Sequence, residues 1–206
     1  MAEQATPLVI TLWETYGSNM ESVAAALAGE LKLTLHAQAY SSQEIEDATQ
    51  EREREGFLGR LLRNFAPVDF SDGRVNPATV AMQSNYAKIA ADTAAVVEAE
   101  AAQGGVIQGR NGHFLLRDRP NTVHVKLDGP VEARIRNAAA ASGIEPERAA
   151  RRQKVEDDFR SQLAQRLFDF DPRDNGHYDV IVNGAELPVA GVVAIIRAAV
   201  QAKTAA

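Results

Sequence analysis

Short apolar runs alternate with stretches of helical spacing along the whole chain. Leu8 to Leu12 is short and apolar, as expected of a strand covered on both faces, and it predicts the centre of a sheet. Met20 to Leu31 then repeats its apolar residues at helical spacing and is rich in alanine. Leu33 to His36 predicts a second strand, after which Ser41 or Ser42 caps a helix with Gln43 and Glu44 in its first turn. Ala78 to Ala102 is a long helical pattern stopped by Gly104 and Gly105. Val106 and Ile107 then begin a third strand leading to Gly109 and Arg110. Thr122 to Leu127, within Asn121 to Asp128, predicts a fourth strand. Pro130 opens a helix that runs through Ala141 and closes at Gly143, and Glu145 to Phe168 is a charge-rich helical region. Tyr178 to Val182 makes a fifth strand, and Val189 to Gln201 a final amphipathic helix. Proline, glycine and short polar residues mark Asn64 to Pro77 as a loop, the expected mobile segment of the first half, and Asp171 to Gly176 as a turn cluster. Met1 to Thr6 is expected to fray, and the charge run Glu51 to Glu55 to lie on a solvated helix face.

Strands separated by full helices imply right-handed parallel crossovers. The expected fold class is therefore α/β, a three-layer sandwich with a five-stranded parallel sheet and a ligand crevice at the carboxyl ends of the strands. Polar candidates fall at those ends: Gly17 and Ser18 after the first strand, His36 to Gln38 after the second, Gly109 and Arg110 after the third, and Asp128 after the fourth.

Composition narrows the chemistry. At 206 residues the chain suits one domain with a single well-buried core. It has no cysteine, which excludes disulfides, a thiol nucleophile and thiolate-bound metal, and its four His are scattered without metal-ligand spacing. No charged-then-apolar leader precedes the first strand, and Val192 to Val200 is too short for a span and carries Arg197, so a cytoplasmic protein that enters no membrane is expected. A net charge of −6 argues against nucleic acid as partner. The stretch from Arg110 to Arg173 is nevertheless net positive, which suits a small phosphorylated ligand. The oligomeric state is not legible.

A strand, a glycine turn and a helix in that order can cradle an anion, because unpaired helix-start amides and the helix dipole face the turn. Gly17, Ser18 and Asn19 with Ser22 are the candidates; the alternative is the ordinary turn that every such unit requires. A full phosphate loop would carry lysine where Met20 stands. Arg110, directly after a strand and a glycine, either presents its planar fork to a phosphate or carboxylate, or forms an ion pair with a crevice acid such as Asp128 or Glu14. Arg134 and Arg136 cannot share one helix face, so one of them is expected at the surface. Arg148, Arg151, Arg152 and Lys154 are explained locally by pairs such as Glu147 with Arg151 and Arg152 with Glu156, yet they occupy the place of a closing lid between the fourth and fifth strands.

Together these landmarks resemble the cytidylate kinase-like family, a branch of the P-loop nucleoside monophosphate kinases. The resemblance covers nearly the whole chain: Val9 to Leu12 followed by Tyr16-Gly17-Ser18, then Leu33 to Gln38, then Val106-Ile107-Gln108-Gly109-Arg110, then Asp157, Arg160 and Tyr178 to Asn183. It implies a single P-loop kinase-like domain over 1–206, with core segments 7–40, 104–142 and 177–203, a monophosphate-binding helical region 41–103 and a lid-like insertion 143–176. It also implies ATP and Mg2+ as cofactors and phosphoryl transfer from ATP to a nucleoside monophosphate. On that pattern Gly17, Ser18, Asn19 and Ser22 would bind phosphate. His36, Gln38, Gly109 and Arg110 would bind the monophosphate, and Arg110, Arg134, Arg152 and Arg160 would serve catalysis, with no protein metal ligand assigned. The chain departs from the pattern at Asn19-Met20, where the family has paired glycines, at Ala37, and at Gln108 and Asn111, where cytidylate kinases have acids. Such losses point to the alternative of an inactive nucleotide- or anion-responsive binding or scaffold module on the same fold.

Overall fold

A computed structural model describes residues 6–50 and 77–204. The expected features at Met1 to Ala5, Glu51 to Glu55 and Asn64 to Asn76 lie outside the described residues.

Among the described residues five strands form one sheet: β1 (Val9–Glu14), β2 (Leu35–His36), β3 (Gly105–Gln108), β4 (Thr122–Asp128) and β5 (Val180–Asn183), in the order β2-β3-β1-β4-β5. Every pairing is parallel, with Ile10 opposite Val106 on one side and Val123 on the other, so β1 is central. The helices are α1 (Met20–Leu31), α2 (Ser42–Gln50), α3 (Pro77–Gln103), α4 (Gly112–Leu115), α5 (Val131–Ser142), α6 (Pro146–Phe168) and α7 (Val189–Thr204). The short α4, between β3 and β4, has no counterpart in the pattern read from the sequence, because a single helical turn leaves no periodicity.

Pleating divides β1 between two layers. Ile10 and Leu12 pack with Val23 and Leu27 of α1 and Val192 and Ile196 of α7; Val9 packs on the opposite face with Ile107, Val97 and Ala101. A sheet covered on both faces by helices is the three-layer α/β sandwich expected. Ser41 starts α2 with a reciprocal capping box, its hydroxyl accepting from the Glu44 N–H at 3.2 Å while Glu44 Oε2 accepts from the Ser41 N–H at 2.8 Å. Helix α6 packs against α2, α3 and α5 and so crosses above the carboxyl end of β1. No helix of the described residues is long and apolar enough to cross a membrane.

Candidate functional site

After Glu14 the chain turns through Thr15 to Asn19 into α1. Gly17 has φ +84°, and a Cβ there would lie 2.2 Å from the Arg134 carbonyl oxygen, so only glycine lets the turn pass against α5. Several of the turn's donors are satisfied from within the chain. Met20 N–H donates to Glu14 Oε2 at 3.1 Å, and Tyr16 N–H donates to Asp157 Oδ1 at 2.8 Å. Asn19 Nδ2 donates to the Gly184 carbonyl at 2.9 Å, and Ser18 is buried with its hydroxyl 3.0 Å from Thr15 Oγ1. Thr15 donates onward to Asp128 Oδ1 at 2.8 Å, and Ser22 is exposed on α1.

Arginines converge above this turn, each answered by an acid. Arg134 is buried, with Nε donating to the Gly129 carbonyl at 3.0 Å and Nη1 to the Tyr16 carbonyl at 3.2 Å and Asp157 Oδ2 at 2.8 Å. Arg136 is exposed, as the two-residue spacing requires. Arg152 does not pair with Glu156: its Nε reaches Glu46 Oε2 of α2 at 2.7 Å, and Arg148 Nη2 meets the same oxygen at 2.7 Å. Hydrogen bonds from Arg148 first and Arg152 next hold the Glu46 carboxyl down to about 2. Glu156 pairs instead with Arg160, Nη2 to Oε2 at 2.8 Å, and Glu14 Oε1 lies 3.9 Å from the same nitrogen. Arg160 Nη1 is buried without a hydrogen-bond partner.

Burial raises the Glu14 carboxyl from 4.5 to about 7, against the pull of Arg160 and the Met20 amide and with the push of Glu156 and Asp157. A carboxyl held above its ordinary value keeps its proton in the folded chain where the unfolded chain has released it. The contribution of Glu14 to folded stability therefore falls as pH rises from 4.5 to about 7 and levels off beyond. Glu14→Gln removes that dependence. Urea unfolding at pH 5 and pH 8 is expected to show the variant gaining roughly 2–3 kcal/mol on the wild type between the two; parallel curves would refute the assignment.

At the next strand end, Gly109, Arg110 and Asn111 follow one another with φ of +66°, +54° and +55°. Non-glycine residues seldom adopt this conformation, and the run turns the chain from β3 into α4. Arg110 pairs with Glu100 of α3, rather than with Asp128 or Glu14, and its Nη2 donates to the Ala37 carbonyl at 2.7 Å. His36 Nε2 lies 3.0 Å from the Gly104 carbonyl, tying β2 to the start of β3.

A cavity of about 780 Å³ opens between α2, α3, α6 and the ends of β1 and β3. Glu14, Met20, Gln38, Gly109, Arg110 and Arg160 line it; Gly17, Ser18, Asn19, Ser22, His36, Arg134 and Arg152 do not. The end of the first turn and Arg110 thus look into one space, while the glycine and serine of the turn face protein. Among the described residues no group of three His, Asp or Glu is arranged to hold a metal ion.

Sequence reasoning named Glu14 as a crevice acid and Asp157 as part of the family pattern but not that the two close the first turn, and it did not single out Glu46, which answers Arg152. It also missed Lys126, which alternation assigns to a strand face. Lys126 is buried, its Nζ donating to the Arg173 carbonyl at 3.1 Å and to Asn175 Oδ1 at 3.0 Å, and so holds the turn before β5.

Fold and site define an α/β protein with an all-parallel five-stranded sheet and a strand–turn–helix unit at its centre. Residues 9–186 match the model of the cytidylate kinase-like family, and the chain belongs to that family. The crystal structure of an uncharacterized protein from Eubacterium ventriosum ATCC 27560 shares the fold, with a TM-score of 0.65 and 16% identity, covering 94% of this chain and 98% of that one. A gluconokinase from Sinorhizobium meliloti 1021 superposes with a TM-score of 0.48 and 17% identity over 95% of this chain and 93% of that chain. A uronate isomerase of Corynebacterium glutamicum is 27% identical over 127 residues, which are 60% of this chain and 24% of that protein. The chain thus spans about a quarter of that relative's length.

Proposed function

We propose that this member of the cytidylate kinase-like family is a small-molecule binding module rather than an active phosphotransferase, with the cavity beneath α6 as its ligand site. One observation carries the reading: the amides of Tyr16 and Met20, which would face a phosphate, are already occupied by the chain's own Asp157 and Glu14. A triphosphate placed against the first turn would displace two carboxylates and meet no lysine ammonium. With Gly17 packed against the Arg134 carbonyl, the residues present do not fit ATP with its Mg2+. The cavity is of the size that takes a small organic molecule.

The second reading is transfer of a phosphoryl group from ATP to a nucleoside monophosphate. The convergence of Arg134, Arg152 and Arg160 around the first turn favours it, because such arginines stabilise charge on a transferring phosphoryl group. In that reading Arg110 and Gln38 hold the acceptor monophosphate.

Isothermal titration separates the two. The binding reading expects no saturable heat from ATP with Mg2+, no product by chromatography when CMP is added, and no turnover in Met20→Lys, whose new ammonium faces Glu14. Tight ATP binding or measurable CDP would reverse the order of the two readings.

A further inference from the structure

We propose, on the reading that the cavity and not the first turn is the ligand site, that it takes a small aromatic molecule bearing one ammonium group, which Glu14 receives through Oε1. Glu14 lines the cavity and keeps 12% of its side chain open. Its two oxygens differ. Oε2 accepts the Met20 N–H at 3.1 Å, whereas Oε1 accepts no hydrogen bond from the described residues and, unlike Arg160 Nη1, is not sealed within the protein. An oxygen that is open to the cavity and lacks a donor is the polar group a guest meets there. The walls around it are aromatic and aliphatic, with Trp13, Tyr40 and Tyr86 beside Ile89, Phe159 and Leu163. Such rings take a flat apolar body and also draw a cation to their faces.

Charge selects the sign of the guest. Among the described residues three cations line the space, and each is answered by an acid. Arg110 pairs with Glu100, Arg160 Nη2 meets Glu156 at 2.8 Å, and Lys88 stands one helical turn from Asp92, both of them exposed. Lys126, 5.6 Å from the Trp13 ring centre, has Asp128 at 3.6 Å. Farther along α6, Arg148 and Arg152 bind Glu46, and Asp157 binds Arg134. Glu14 is the acid left over. Its nearest cation, Arg160, lies 3.9 Å away and is held more closely by Glu156, while Glu156 and Asp157 add negative charge beside it. A ligand ammonium at Oε1 supplies the missing cation and forms a charge-assisted hydrogen bond; a ligand carboxylate would meet a like charge there.

Calorimetric titration of the full chain with 1-naphthylmethylammonium, neutral 1-naphthalenemethanol and anionic 1-naphthoate tests this, with CMP and with ATP plus Mg2+ run alongside. At pH 8 the ammonium is expected to bind roughly tenfold or more tightly than the alcohol, as a charge-assisted hydrogen bond requires, and naphthoate more weakly still. Because Glu14 releases its proton through about 7, the affinity for the ammonium is expected to rise by up to about tenfold from pH 6 to pH 8, while that for the alcohol stays level. Glu14→Gln, which keeps an oxygen for the Met20 amide, brings the ammonium and the alcohol to similar affinity and flattens the pH profile; if that variant does not fold, the probe series and the pH profile of the wild type carry the test. Absence of ammonium binding, equal affinity for ammonium and alcohol at pH 8, a preference for naphthoate, or an ammonium preference that survives in Glu14→Gln overturns the proposal. Saturable heat from ATP with Mg2+ overturns the reading beneath it, whereas alcohol bound without a preference for the ammonium overturns only the ligand class.

Discussion

Arg134→Met is expected to lower the free energy of unfolding by about 4 kcal/mol, the effect of removing one partner from a buried, hydrogen-bonded ion pair. Methionine keeps the apolar stem, so the loss is of the guanidinium alone. It leaves the Gly129 and Tyr16 carbonyls without their donor and Asp157 without its cation, although Asp157 keeps its bonds from the Tyr16 amide and Gln153. Arg136→Met, two residues on and exposed, is the control, with a change within about 0.5 kcal/mol. Urea denaturation followed by circular dichroism measures both. Similar modest effects from the two variants would mean that the joint between the first turn, α5 and α6 contributes little.

Gly17→Ala is expected to destabilise by about 3 kcal/mol or more, from two causes that add. The backbone has φ +84°, where a side chain is strained, and the new Cβ meets a main-chain oxygen at 2.2 Å that no rotamer change can move. Gly143→Ala separates the causes: it has φ +62° with nothing within 4 Å, so it carries the conformational cost of about 1 kcal/mol without the collision. A Gly17→Ala effect no larger than that of Gly143→Ala would show that α5 shifts readily away from the turn. Such compliance would also weaken the case that the turn is closed to phosphate.

Much of the fold was legible because its signals are local. The apolar run at Val9 to Leu12 announces a strand buried on both faces, Pro130 and Gly143 bracket α5, and α1 runs from Met20 to Leu31 as its spacing predicts. Right-handed crossovers then leave few arrangements for five parallel strands, and the family motifs, read in order, led to the same fold. Strand limits were less legible: β1 extends to Glu14, and β2 is only Leu35 and His36, because β2 borders a single neighbour and pairing decides where a strand stops.

The candidate site was legible as a set of strand ends and illegible as chemistry. Arg110 stood out by its place after a strand and a glycine, and Arg134, Arg152 and Arg160 through the family pattern, but which acid answers each depends on how α2, α3 and α6 pack. The local pairing of Arg152 with Glu156 gave way to Glu46, 106 positions away in the chain, once α2 lay against α6.

The sequence by itself determined the order of elements, the parallel α/β sandwich and the family, since apolar period, caps and turn residues act over a few neighbours. Only the tertiary structure decided what fills the first turn. Whether an amide there meets a phosphate or a carboxylate depends on bringing Asp157 within 2.8 Å of Tyr16 across 141 residues, and no local pattern encodes a contact made by folding.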